Sequence, residues 1–393
     1  MPKPFKLILM AKFKVGVLIP YSGIYKNLKS DFLNGIDAAI PESLKDRISF
    51  LPEFVNTGGF KQVEEAFNKL ALFESVDVIT GIVSTNVLTS LMPVINAEKM
   101  PVIISNLGAY MPVERIISPY LFYNSLHLWQ SEWAMGKWMQ AKYGGIPSIG
   151  SVIYDVGYNM HECFRIGTVA ADAKECRMHV LKLEGLQGFA DTQPLVDAFG
   201  YDQASHAHAI FSGIEGQQFL TNFYNSSIAS QIPLSVSPFM VDNGVKLNID
   251  TSPGILNAFT WDYYSAAEEN IKFKNAYEGE FEVKANTFSL LGYETGLAIV
   301  AALESITTKP TKEKLTEALT NIDVNGPRGK LALSLTDVPS QQPVYIRKAH
   351  LDKDTHEVKN DIVEVVKGIN WNAGSLASVR NSSYTWQNPY MCV

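Results

Sequence analysis

The chain reads as an α/β protein built from two doubly wound parallel-sheet lobes. Three observations predict this: an apolar strand that passes through a tight turn into a helix near the start, strand–helix alternation with short connections, and a restart of that alternation further along. At 393 residues the chain exceeds what one hydrophobic core usually supports, so two lobes fit its length. The opening is Val15-Gly-Val-Leu-Ile-Pro-Tyr-Ser-Gly23, followed by Phe32-Leu-Asn-Gly-Ile-Asp-Ala-Ala39. It places Ser22 and the backbone of the turn at the carboxyl end of a strand, where open α/β sheets bind small molecules.

From Lys61 onward, Val63, Ala66, Phe67, Leu70 and Ala71 fall at helical spacing, and 76–83 is a short apolar strand. Ser84-Thr-Asn86 supplies N-cap chemistry for a helix carrying Val87, Leu88, Leu91, Val94 and Ile95, and 100–105 is the next strand. After a loop rich in Pro, Ser and Tyr the pattern resumes. It gives a strand at 149–155, a helix over 160–174, strands at 179–183 and 207–212, a helix over 215–230 and a strand at 233–237. Each half suits a six-stranded lobe. Beyond Gly254 helices are predicted over 266–277, 288–305 and 311–319. Asn325-Gly-Pro-Arg-Gly329 marks a turn before a strand at 330–335, and 344–348 is a late strand. From 371 to 393 the chain is polar and aromatic without periodicity and predicts no element. No flexible linker separates the halves, which favours lobes joined by several ordered crossings.

Composition excludes several functions. Hydrophobic residues make up 46% and charged residues 19%, enough apolar mass for a large core. The net charge of −7 argues against a nucleic-acid partner, which needs a basic face. No apolar run is long enough for a membrane span. In the first twelve residues, two lysines precede Leu7-Ile-Leu-Met-Ala11, a run shorter than a secretory core and followed by no small-residue cleavage site. This segment, 1–12, reads as an N-terminal extension or a remnant, and a truncated or mature form fits better than a cytosolic protein. Cys163 and Cys176 would lie roughly 20 Å apart on a continuous helix, beyond a disulfide's reach, so these two and Cys392 are expected unpaired. There is no Gly-x-Ser-x-Gly elbow, P-loop, Gly-x-Gly-x-x-Gly fingerprint or His-Glu-x-x-His motif. His206-Ala-His208 sets two imidazoles on one strand face with too few further ligands for a metal. No cofactor, metal or catalytic residue is assigned, and an enzyme would need a nucleophile–base pair that the sequence does not supply.

Five segments, in order, resemble the type I periplasmic binding proteins, and in particular the Leu/Ile/Val-binding family of ABC transporters. They are the opening strand with Ser22-Gly23 and Asn34-Gly35, the 76–105 segment with Gly81-Ile-Val-Ser-Thr85, Val152-Ile-Tyr-Asp155, Leu291-Gly-Tyr-Glu-Thr-Gly-Leu-Ala298, and Gly326-Pro-Arg-Gly329. The resemblance covers about 13–352. It implies two lobes joined by three crossover strands and closing on ligand about a hinge, with 13–124 plus 258–335 in lobe one and 125–257 plus 336–393 in lobe two. It also implies a periplasmic, monomeric protein that captures a small carboxylate-bearing solute and docks on a membrane permease. A ligand-sensing regulator of the same fold, never exported, is the alternative reading.

Ser84, Thr85 and Asn86 stand where free backbone N–H groups and a helix dipole can hold a carboxylate, with the Thr85 hydroxyl as a further donor. The second candidate is Ser105-Asn-Leu-Gly-Ala109, after the next strand, with backbone contact expected at Leu107, Gly108 and Ala109. In amino-acid-binding relatives this loop resembles Ser-Pro-Gly-Ala-Thr, and Ala109 stands where the Thr hydroxyl would be. Those relatives also place an acid after the strand equivalent to 233–237, to pair with the ammonium; here Phe239 is nearest that position. Asp155, Glu215, Asp242 and Asp262 are the candidate replacements, of which Glu215 is retained as a ligand residue. Aromatics at the cleft edge, among them Tyr21, Tyr25, Tyr110, Tyr158, Phe239, Trp261 and Tyr263, suit an apolar or aromatic ligand portion. The candidate ligand-binding set is therefore Ser22, Tyr25, Ser84, Thr85, Asn86, Leu107, Gly108, Ala109, Tyr158, Glu215, Phe239 and Trp261. The solute is an amino acid or an aromatic or keto acid.

Overall fold

Strands buried on both faces read as continuous apolar runs, and these runs assemble two sheets. The computed structural model describes residues 12–182, 190–242, 245, 247, 254–307, 309–334, 342–352, 354–355, 357–370, 373–382 and 386–392. The first sheet has the order β2-β1-β3-β4-β5, all parallel: β1 (Phe13–Ile19), β2 (Ile48–Phe54), β3 (Val78–Ile82), β4 (Val102–Asn106) and β5 (Leu121–Ser125). Between them run α1 (Leu28–Ala39), the one-turn α2 (Glu42–Lys45), α3 (Phe60–Asn68) with a π-helical extension, and α4 (Thr85–Glu98). α5 (Leu128–Tyr143) then begins the second unit.

The second sheet has the order β14-β13-β10-β9-β8-β6-β7. Its parallel part comprises β6 (Pro147–Val152), β7 (Arg177–Leu181), β8 (His206–Ile210), β9 (Leu234–Val236) and β10 (Ile255–Phe259). α6 (Met160–Val169), α7 (Gln193–Tyr201) and α8 (Ile214–Tyr224) connect these strands. After β10 come α9 (Glu268–Phe281), α10 (Thr287–Ser305) and α11 (Lys312–Thr320), and α1 packs on α10. A two-strand ribbon, β11 (Asn325–Gly326) and β12 (Gly329–Lys330), leads to the antiparallel edge pair β13 (Val344–Leu351) and β14 (Val358–Val366).

The sheets hold five and seven strands rather than six each. The helix expected over 160–174 stops at Val169, because Asp172 turns left-handed (φ +71°) and closes the helix end. The strand expected at 330–335 is reduced to the two-residue β12, and position 335 lies outside the described residues. All three cysteines are free thiols. No helix among the described residues is long and apolar enough to cross a membrane.

Two sequence motifs acquire a packing role. A Cβ on Gly35 of α1 would lie 2.2 Å from the Ser289 carbonyl oxygen, and one on Gly292 of α10 would lie 2.1 Å from that of Phe32. The helices touch backbone to backbone, so only glycine fits at either site. Gly136 of α5 and Gly167 of α6 make the equivalent contact on the second sheet.

Arg328, in the turn between β11 and β12, forms a buried ion pair with Glu294 of α10 at 2.6 Å. Its remaining donors reach the Ser125 carbonyl (2.9 Å), Asn124 Oδ1 (2.9 Å) and Gln342 Oε1 (3.0 Å). Thr260 Oγ1 donates to the Leu126 carbonyl at 2.8 Å. These contacts bind together the segments that pass between the sheets after β5, after β10 and before β13. Glu294→Ala leaves a buried guanidinium uncompensated, and the expected loss is about 3–5 kcal/mol in urea unfolding. A loss under about 1 kcal/mol would show that the pair does not hold the crossings.

Candidate functional site

In each sheet the strand order reverses direction at one point, and there the carboxyl ends of adjacent strands open a crevice. In the first sheet this point lies between β1 and β3, in the second between β6 and β8. Ser22 follows β1, and Ser84, Thr85 and Asn86 follow β3. Asp155 and Tyr158 follow β6, and Ser212 and Glu215 follow β8. The two units meet beside these crevices: Asn159 N donates to the Ala109 carbonyl (3.0 Å), Asn159 Oδ1 accepts from Met111 N (2.8 Å), and Tyr110 Oη donates to the Gly157 carbonyl (2.9 Å).

On the first unit Ser84 caps α4, its Oγ accepting from Asn86 N at 3.2 Å. The Thr85 hydroxyl turns inward to Tyr123 Oη at 2.6 Å. Beneath it Asn106 is a hub: its Oδ1 accepts from Gly108 N, Tyr123 Oη and Ser125 Oγ, and its Nδ2 donates to the Val83 carbonyl. This network fixes the loop that carries Leu107, Gly108 and Ala109. The carbonyls of Leu107 and Gly108 then accept from Leu128 N and Trp129 N at 3.0 Å, in the first turn of α5. Thr85→Ala therefore removes a buried network bond as well as a cleft hydroxyl.

On the second unit Asp155 accepts from Ser212 N (2.9 Å) and Ser212 Oγ (2.8 Å). Glu215 is buried in the first turn of α8 and bonded by the Tyr154 side chain. Phe239 lies 5.6 Å from Phe259, ring centre to ring centre.

Residues 386–392 lie between the two walls. The Trp386 carbonyl accepts from Asn86 Nδ2 at 2.8 Å and shares with the Gly157 carbonyl the one proton of Tyr110 Oη, 2.8 Å away, while the Trp386 indole N–H donates to the Tyr154 carbonyl at 2.9 Å. Gly157 accommodates that indole, since a Cβ there would fall 1.6 Å from the ring. Gln387 Oε1 accepts from Phe60 N at 2.9 Å, capping α3 in place of the bare Gly59. Asn388 Nδ2 donates to Tyr158 Oη at 2.6 Å, and Pro389 rests on Gly58. The Tyr390 ring sits 5.2 Å from Tyr158 and 6.2 Å from Phe239. Ser22 Oγ donates to the Met391 carbonyl. Tyr390, Met391 and Cys392 are all buried.

Of the residues singled out from sequence, Ser22, Asn86, Tyr158 and Phe239 converge on this segment, with Tyr110 beside them. Ser84 and Thr85 begin the adjoining helix, and Gly108 and Ala109 lie at the junction of the units. Glu215 stands in the second wall. Two others lie apart: Tyr25 packs against Phe288 at 4.6 Å, and Trp261 is buried beneath α9 with its indole N–H on Asn270 at 3.0 Å. Tyr21 is exposed, and Tyr263 bonds Glu278. His206 and His208 face α5, where they meet Gln140 (3.0 Å) and Glu132 (2.7 Å). Among the described residues no acid–histidine–cysteine group of three or more has the arrangement to hold a metal. Sequence reasoning placed Asn106 in a candidate loop without its role as a hub and missed Tyr123 and Asn159, whose roles depend on distant partners. It also missed Arg115 and Arg380, which join Thr85, Asn86, Tyr110 and Asn159 around a cavity of about 460 Å³ beside residues 386–392.

Burial drives the Asp155 carboxyl up to about 7; the two Ser212 bonds, which favour the carboxylate, offset only part, and the nearby Glu215 raises it further. Between about pH 4 and 7 the folded chain thus holds a proton that the unfolded chain has released. Its contribution to stability is greatest at low pH and is lost as pH rises through about 7. Asp155→Asn abolishes this slope, so the variant should gain stability relative to the parent from pH 4 to 7.5 in urea titrations. An unchanged difference across that range would contradict the assignment.

Residues 12–355 match the family described as periplasmic binding protein. The chain is similar to the Leu/Ile/Val-binding protein homolog 6 of Brucella suis biovar 1 (strain 1330), with 20% identity over 356 residues, 87% of this chain and 89% of that protein. Its fold is similar to an ABC transporter substrate-binding protein from Sphaerobacter thermophilus, with TM-score 0.76 and 20% identity over 91% of this chain and 99% of that one. It is also similar to a solute-binding protein of an ABC transporter from Rhodopseudomonas palustris BisB5, solved in complex with 3,4-dihydroxybenzoic acid. There the TM-score is 0.73 and the identity 20%, over 91% of this chain and 98% of the other.

Proposed function

We propose that this chain, which belongs to the periplasmic binding protein family, is the solute-capturing component of an ABC importer and that its solute is a small aromatic carboxylate. The observation that carries the reading is the phenol ring of Tyr390 held between Tyr158 and Phe239. A box that accepts a phenol ring from the chain itself has the shape and edge-to-face surfaces that an aromatic solute needs. The acid end is supported by the first turn of α4, whose N–H groups and dipole favour an anion; the adjoining cavity carries Arg115 and Arg380 against the one carboxylate of Glu114.

Recognition of an amino acid has weaker support. Phe239 stands where aliphatic amino-acid binders carry the ammonium's counter-ion. Asp155 has both oxygens committed to Ser212, and Glu215 is engaged by Tyr154. A ligand ammonium in this wall would meet no carboxylate that is not already committed, and burying it there is costly. Capture takes place outside the cytoplasm, with a membrane permease as the receiving partner.

A thermal-shift panel tests the solute class. Benzoate, 4-hydroxybenzoate and 3,4-dihydroxybenzoate are each set against leucine and phenylalanine. A ligand at about 100-fold its dissociation constant adds roughly 2.7 kcal/mol to stability. Stabilisation by the benzoates alone is the expected outcome; stabilisation by the amino acids alone would reject the reading. Phe239→Ala should weaken the best benzoate about tenfold, roughly 1.4 kcal/mol, in calorimetric titration. An unaltered affinity would remove Phe239 from the site.

A further inference from the structure

We propose that residues 386–392 are a tethered occupant of the cleft, docked where the solute binds, so that a solute enters only as this segment leaves. The proposal rests on the reading above for the identity of the solute, but not for the docking itself. The segment engages both walls: Ser22, Gly58, Phe60, Asn86 and Tyr110 on one side, Tyr154, Gly157, Tyr158 and Phe239 on the other.

The contacts come from individual side chains and from the single carbonyls of Trp386, Asn388 and Met391 rather than from the ladder of a strand or helix. The Trp386 indole lies over a glycine that no other residue could replace without a clash. Asn388 pairs with Tyr158 through its amide N–H and its backbone carbonyl, the latter accepting from Tyr158 Oη at 3.4 Å. Gln387 completes the cap of α3, and Tyr390 fills the aromatic box. Four of the wall groups that the segment engages are ones that the proposed solute would otherwise meet: the Asn86 amide, the Tyr110 and Tyr158 hydroxyls and the Phe239 ring.

A segment on a short tether acts at an effective concentration of about millimolar, so contacts too weak to hold a free peptide keep the cleft filled. A solute then binds with an apparent dissociation constant raised by the reciprocal of the undocked fraction. With the segment docked about ten times as often as not, the solute's apparent affinity is about tenfold below its intrinsic value. Filling the cleft in this way sets a threshold concentration for capture.

The test uses the full chain and a Trp386→Ala/Asn388→Ala variant, whose substitutions leave both cleft walls intact. Three measurements are made: calorimetric titration with benzoate and 4-hydroxybenzoate, hydrogen exchange across 386–392 with and without benzoate, and binding of a synthetic peptide spanning 384–393 to the variant. The expected result is about tenfold tighter benzoate binding by the variant, loss of protection across 386–392 in the parent when benzoate binds, and peptide binding that benzoate reverses. Equal affinities with 386–392 still protected under saturating benzoate would overturn the proposal: the segment would be a fixed wall, and the solute reading would stand. Peptide binding without any response to the benzoates would support the docking and overturn the solute reading. If neither peptide nor benzoate binds the variant, both fall.

Discussion

The Arg328–Glu294 pair is the interaction on which the arrangement of the two units depends. A buried ion pair repays its desolvation only when its geometry satisfies nearly every donor. Here the guanidinium reaches a carboxylate of α10, two groups at the end of β5 and an amide that precedes β13. The segments that must bend if the lobes open are thereby gathered at one charged point on the first unit. His127, alongside, is kept neutral: burial, then the Arg328 charge, lowers its imidazole to about 3. His127 therefore stays uncharged beside Arg328 at neutral pH.

From that anchor the two switch points face one another, and their chemistry differs. The first wall offers donors: the opening turn of α4, the Asn86 amide and the Tyr110 hydroxyl. The second offers aromatic faces together with acids that are already engaged. Both walls are met by the chain itself, through residues 386–392.

Much of the architecture was legible in the sequence because parallel strands covered on both faces are apolar throughout. The N-cap chemistry of Ser84-Thr-Asn86 was visible for an equally local reason, whereas the close contact of α1 and α10 through Gly35 and Gly292 was not, since it joins residues far apart in the chain. α5 was not, since Gln130, Ser131, Glu132 and Gln140 are buried along it and blur its periodicity. Three of these find partners far along the chain: Gln130 at Ile369, Glu132 at His208 and Gln140 at His206. The inward turn of the Thr85 hydroxyl depends on Tyr123, and nothing in the local sequence signals it. Residues 386–392 carried no pattern because their order comes from docked side chains and not from a repeating backbone bond.

Cys392 gives the docked segment a chemical consequence. It is fully buried, and burial pushes its thiol up to about 12, so in place it holds almost no thiolate. Only thiolate reacts readily with an alkylating reagent or a disulfide. Each excursion of the segment into water restores ordinary thiol reactivity, while Cys163 stays sealed in the core of the second unit. The chain thus carries its own clock: the rate at which Cys392 is consumed counts how often the segment leaves the cleft, whether or not a solute takes its place.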